Sequence, residues 1–344
     1  MPDLALVWYA ILAAMLAAYV VLDGFDFGAG MLHLLVARDD AERRQVLAAI
    51  GPYWDGNEVW LLASGGVLFA AFPRVLAAGL SGFYFAIFLV LWALILRGIS
   101  IELRSHLDDR LWRGFFDAVF ALASLLLAVL FGVALGNLLR GVPLDGEGWF
   151  ALPLFTDWTA GPPVGTLDWY TLLVAVFATL VLAGHGANFL IWKCDGAVAE
   201  RARRLGRRAW LAVAVLWPVV TWATVRVNPA MREHFVARPF AWLLAAAAIA
   251  GLAAVFAGER NERALVSFLG SSSVIGGLLA ATAACLFPVM LQASAGGPSI
   301  DAQAANAGAA GLRTALGWWL LGAPLAVGYF ALLFRIHRGK VSVV

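Results

Sequence analysis

Charge is scarce in this chain. Asp, Glu, Lys and Arg make up 13% of its 344 residues, against 62% hydrophobic residues and a mean hydropathy of +0.85, which excludes a soluble domain with a single core. There are only two cysteines, Cys194 and Cys285. The topology below puts them on opposite sides of a membrane, so no disulfide is expected and no metal-site spacing arises. Histidine is nearly as sparse. His33, His106, His234 and His337 fall at helix ends or in loops, which leaves only His185, in GHGANF, within a predicted span. A membrane-embedded pair of b-type haems or a copper centre needs several histidines on facing helices, and the covalent-haem pattern C-x-x-C-H is missing, so the chain is not expected to hold a redox centre unaided. Two readings stand for His185: a contact to a cofactor or a proton, and a hydrogen-bonded structural histidine. No phosphate-binding loop is present; the G-x-G of FGAG follows no strand. Met1-Pro2-Asp3 carries no basic region, and the apolar run after it lacks a small-residue cleavage site, so it reads as a retained helix rather than a signal peptide.

What the chain has in abundance is long apolar runs. In hydrocarbon only a helix satisfies its own backbone, so the expected class is an all-α, polytopic membrane protein. Nine crossings are expected, at residues 4 to 24, 50 to 72, 76 to 99, 115 to 139, 168 to 192, 209 to 226, 239 to 257, 265 to 290 and 314 to 335. This topology divides the 24 Lys and Arg residues 18 to 6. Arg38, Arg43, Arg44, Arg97, Arg104 and the run Arg201 to Arg208 lie on the rich side, which places the N-terminus in the periplasm and the C-terminus in the cytoplasm. The turn-rich stretch 140 to 167 and the Ala- and Gly-rich stretch 291 to 313 are the expected outer connections. The basic run at 201 to 208 is read as a loop facing acidic lipid headgroups, not nucleic acid. Residues 1–344 are taken as a single membrane subunit.

Four acids fall inside or at the edge of these runs. Asp23 and Asp26, in LDGFDFGAGM, and Asp55 and Glu58, in GPYWDGNEVW, are each spaced i, i+3 on one helix face. Asp23 lies about 28 Å along the helix from Leu4, near the limit of the hydrocarbon. If the first two helices pack side by side, all four carboxylates converge. Acids grouped where water is scarce exchange protons and usually mark proton or ion paths. Two alternatives stand beside this. Asp55 and Glu58 fit a capping box opening the second helix; and Arg97 or Arg104, in RGISIELRS with Glu102, can neutralise the acids as structural ion pairs. Trp54, Asn57 and Trp60 flank the acids and are expected to shape the site. Most of the 15 tryptophans suit an interfacial belt.

LDGFDFGAGML, GPYWDGNEVWLLASGGVLFAAFP, SGFYFAIFLVLWALILRGISIELRS, FGVALGNLLRGVP and FRIHRGKV together resemble subunit II of cytochrome bd-type quinol oxidases. The resemblance spans the whole chain, and WDGNEVW carries it most specifically. It implies a non-haem-ligating subunit of a quinol:O2 oxidoreductase in the bacterial inner membrane. Subunit I, its partner, holds two haems b and one haem d, oxidises ubiquinol or another quinol, and reduces O2 to water with cytoplasmic protons. A small accessory subunit is left open. The family implicates acids of the D-G-F-D and W-D-G-N blocks in proton delivery. These correspond here to Asp26 and Asp55, with Asp23 and Glu58 beside them; Glu58 stands where some members have Gln. A proton-coupled secondary transporter, and a purely structural subunit with every acid ion-paired, are the competing readings.

Overall fold

The computed structural model describes residues 3–294 and 297–341. Helix α1 (Leu4–Val36) opens on an N-cap, Asp3, whose carboxylate accepts from the Ala5 amide. Its 33 residues rise about 50 Å, well beyond the ~30 Å of hydrocarbon. The expected end near residue 24 is therefore corrected: α1 passes through Asp23 and Asp26 without a break. Residues 23 to 30 are all buried, because α1 is the central helix and other helices surround this stretch. The glycines serve close approach, not bending. A Cβ on Gly28 would lie 2.1 Å from the Leu182 carbonyl oxygen and 2.6 Å from the Gly186 Cα, so two backbones cross here in contact.

Helix α2 (Asp40–Ile50) lies at the far end of α1, and α3 (Trp54–Ala71) turns back along it. Asn57, in the first turn of α3, donates to the Leu22 carbonyl, while Ala71 at its end shares an apolar cluster with Trp8 and Ile11. The N-cap of α3 is Tyr53, with no side-chain cap bond, so Asp55 caps nothing and the capping-box reading falls. The chain breaks at Phe72, continues as α4 (Pro73–Gly82), and breaks again at Phe83 before α5 (Tyr84–Leu103). The expected third crossing, 76 to 99, is thus divided between α4 and α5; Pro73 in the first turn of α4 suits a helix start.

Helices α6 (Arg110–Arg140) and α7 (Trp169–Lys193) follow. The connection between them is fastened where it begins and ends: Arg140 pairs with Asp168, and Asn137 donates to the Thr166 carbonyl. Next come α8 (Gly196–Val227), α9 (Ala230–Ala237), α10 (Pro239–Arg260) and α11 (Ala264–Leu286). The stretch expected as an outer loop holds a two-stranded antiparallel pair, β1 (Val289–Leu291) with β2 (Ile300–Asp301), and the short α12 (Ala302–Ala305). Helix α13 (Ala309–Ile336) is fastened chiefly at its ends. Trp8 donates to the Leu312 carbonyl, and beyond the helix the Val341 amide donates to the Lys193 carbonyl. Leu312 is the only buried residue of α13. Among the described residues, eight helices (α1, α5, α6, α7, α8, α10, α11 and α13) are long and apolar enough to cross a membrane.

Candidate functional site

The site forms where α1, α3 and α5 meet. Arg97 of α5 is wholly buried; its guanidinium lies 2.6 Å from Asp23 Oδ1 and 2.5 Å from Glu58 Oε1, and covers the Phe27 ring at 4.5 Å. Among the described residues, Asp26 makes no ion pair. Its Oδ2 accepts from Asn57 Nδ2 at 2.7 Å, and its Oδ1 is buried without a partner. The Asn57 amide also donates to the Leu22 carbonyl at 3.1 Å, which fixes the amide against α1. Three carboxylates therefore gather near one guanidinium, which pairs with two of them, Asp23 and Glu58. At an effective dielectric of about 20 a close ion pair gains roughly 4 kcal/mol. One arginine can repay one buried carboxylate in that way, but an unbalanced second one costs several kcal/mol. A bound proton removes that cost, so the arrangement suits a site that takes up and gives back H⁺.

Arg97, not Arg104, is thus the arginine that meets the expected acids, and the expected convergence of four carboxylates becomes three. Asp55 is exposed on the outer side of α3 and makes no hydrogen bond or ion pair among the described residues. Taking Asn57 as the inward direction at 100° per residue, Glu58 stands about 100° away and Asp55 about 160° away, so sharing an i, i+3 face did not bring both to α1. Trp54 packs over Gly98, where an added Cβ would meet its ring at 3.4 Å; Trp60 leans on Phe330 of α13 with ring centroids 6.0 Å apart. Glu102 is exposed and takes no part; only its carbonyl is engaged, accepting from His106.

In His185, Nδ1 lies 2.7 Å from Ser271 Oγ, Nε2 lies 2.9 Å from the Val21 carbonyl, and the ring stacks on Phe268 at 5.1 Å. Both nitrogens are committed to the protein, so neither is free to ligate iron. His185 thereby ties α1, α7 and α11 together.

A second ionic layer escaped the sequence reading. Asp117 of α6 is buried and accepts from Arg104 Nε at 2.6 Å, from Arg43 at 3.0 Å and from His33 Nε2 at 2.7 Å. Arg104 reaches on to Asp40 at 2.8 Å, and Arg113 joins Asp40 at 3.2 Å. The layers are in register: Asp26 and His33 on α1, and Arg97 on α5 and Arg104 at its C-terminal cap, are each seven residues apart, two helical turns or about 10 Å. The signal that points to it is Asp117, an acid just inside an apolar run that has no loop to serve.

The comparisons bear on this geometry. The family model for cytochrome bd terminal oxidase subunit II matches residues 4–337. The "Probable cytochrome oxidase subunit 2" of Haemophilus influenzae is 32% identical over 320 residues, covering 85% of this chain and 82% of the relative. The cytochrome bd-I ubiquinol oxidase subunit 2 of Escherichia coli is 29% identical over 317 residues, with the same coverage. In fold, the chain is similar to the bd oxidase structure from Geobacillus thermodenitrificans, with a TM-score of 0.75 over 97% of this chain and 98% of the other, at 17% identity. The transporter reading finds no support among them. The family model matches nearly the whole length, and the relatives agree with it over most of theirs: this chain belongs to the cytochrome bd terminal oxidase subunit II family.

Proposed function

We propose that the chain works as subunit II of a membrane-bound quinol oxidase, as a scaffold and proton path for a haem-bearing subunit I. In that complex, quinol supplies electrons, and O2 takes four electrons and four protons to become two waters. Haem, two b-type and one d-type in subunit I, supplies the electron transfer and oxygen chemistry. The residues of this chain do not fit a haem of their own, since the nitrogens of His185 are both engaged. Residues 1–344 act as one membrane subunit with nine crossings, α3 being the ninth. The N-terminus is periplasmic and the C-terminus cytoplasmic in a bacterial inner membrane. Antiparallel packing of α3 along α1, from Leu22 to the level of Trp8, supports the ninth crossing.

The observation that carries the proton role is Asp26. It is fully buried and held by a neutral amide instead of a cation, so it is the acid best placed to alternate between protonated and ionised forms. Asp23 and Glu58, tied to Arg97, set the local charge. Asp55 projects from a face of α3 that also exposes Val59 and Leu62. An acid on such a face is costly in lipid, which favours coverage by subunit I and a role in passing protons across that contact. Membrane lipids cover the remaining apolar surface. The test is affinity purification from a native membrane. A co-purifying haem-rich subunit with a haem d absorption band and quinol-driven O2 consumption supports the reading. Proton-coupled solute transport by the lone chain, with no haem protein attached, overturns it.

A further inference from the structure

We propose that the second ionic layer is the port through which protons reach Asp26, with His33 as the group that takes them up and Ser124 as the step between; this rests on the proton role just proposed. The first support is where polar atoms go unsatisfied. Of the twelve buried side-chain polar atoms without a partner among the described residues, ten lie in or beside the two layers, the exceptions being those of Trp210 and Ser294. Native interiors leave few such groups, and runs of them are satisfied by water. Atoms needing water, gathered in the two charged layers and, at Ser124, between them, outline a hydrated track.

The second support is alignment. Asp26, Gly30 and His33 stand at i, i+4 and i+7 on one face of α1. Gly30 abuts the hydroxyl of Ser124 on α6, where an added Cβ would lie 2.1 Å from Oγ. That hydroxyl, itself buried and unpartnered, therefore sits at the level midway between His33 and Asp26.

The third support is the chemistry of His33. Asp117 accepts from its Nε2, which puts the hydrogen on Nε2 and leaves the Nδ1 lone pair, buried and unpartnered, able to take a proton. The charged groups facing it are Asp117 of α6, Arg104 at the end of α5 and Arg43 of α2. A proton arriving as hydronium forms an N–H bond at Nδ1 and leaves water behind; Asp117 balances the imidazolium. Release through water and the Ser124 hydroxyl then forms an O–H bond on the Asp26 carboxylate and regenerates neutral His33. Solvent reaches the layer through Asp40 and Arg43, whose side chains are 36% and 28% exposed.

The test uses the assembled complex. His33→Gln keeps an amide donor for Asp117 but cannot carry a proton. Ser124→Ala breaks no hydrogen bond to another residue, so its fold is spared. Proton uptake after oxygenation of the reduced complex is followed with a pH-indicator dye, beside a pH profile of turnover. For His33→Gln the expected result is unchanged haem content, with uptake slowed roughly tenfold or more near pH 8, less near pH 6, and restored by added imidazole. For Ser124→Ala it is several-fold slower uptake at unchanged quinol KM. If His33→Gln fails to assemble, Ser124→Ala decides. Wild-type uptake at every pH in the variants that assemble, while Asp26→Asn is slowed, places the port elsewhere. If Asp26→Asn is unaffected as well, the proton role of this subunit is what fails.

Discussion

Replacing Arg97 by Gln tests the charge balance on which the site depends. The change strands Asp23, which is 0% exposed, and releases Glu58, whose side chain is 26% exposed. Removing one partner of a buried pair costs about 3–5 kcal/mol, and the partly exposed Glu58 pair adds about 1 kcal/mol or less. The sum, roughly 3–6 kcal/mol, is a large share of the ~5–15 kcal/mol that holds a typical protein together. Adding Asp23→Asn removes the stranded charge. The double variant should therefore recover about 2–3 kcal/mol of the loss, the non-additive result that a shared ion pair requires. Thermal unfolding of the purified complex at one scan rate, followed by haem release, compares the three proteins. Arg97→Gln melting within about 1 kcal/mol of the parent, or a double variant less stable than Arg97→Gln alone, would refute the shared-guanidinium argument.

Gly28→Val should abolish assembly, because its Cβ meets backbone at 2.1 Å and backbone has nowhere to go, whereas Gly317→Ala, with nothing within 4 Å, should assemble normally; equal yields would contradict the close crossing. Hydrogen bonds from Arg201 hold the Glu42 carboxyl below its ordinary range, against a smaller opposing effect of burial. Its contribution is therefore complete above about pH 4.3 and is lost as pH falls through the lowered folded value. Glu42→Gln should lower the melting midpoint by an amount equivalent to about 1 kcal/mol near neutrality and flatten its fall below roughly pH 4.5; an unchanged acid slope would remove this pair from the account. Asp55→Asn should leave haem content and melting unchanged, since the Asp55 side chain makes no hydrogen bond or ion pair among the described residues, yet slow turnover of the complex by a large factor; unchanged turnover would take Asp55 out of the path.

The helical class and the acids of α1 were legible because apolar runs and buried charge are local signals. Arg97 was legible as a partner, although the sequence could not choose between it and Arg104. What failed was direction. The i, i+3 spacing of Asp55 and Glu58 says that they are neighbours on α3 but not which side of α3 meets α1, and the inward side is fixed by Asn57, Ser64 and Ala71. The second layer was missed because α1 was expected to end at the first acids. The stretch FGAGMLHLLV continues the helix once Gly28 is read as a contact rather than a break. His33 then lies inside the bundle, opposite Asp117, a pairing of residues 84 apart that no local pattern reveals.

Asp26→Asn in the assembled complex addresses the central claim most directly, because the amide keeps the size and the Asn57 contact while removing the titratable oxygen. Single-turnover proton uptake on reaction of the reduced complex with O2 is the quantity to record, beside haem content. Intact haem with proton uptake slowed by two or more orders of magnitude is the result expected of a subunit that delivers H⁺ through this acid; uptake at the parent rate, with haem equally intact, would contradict it.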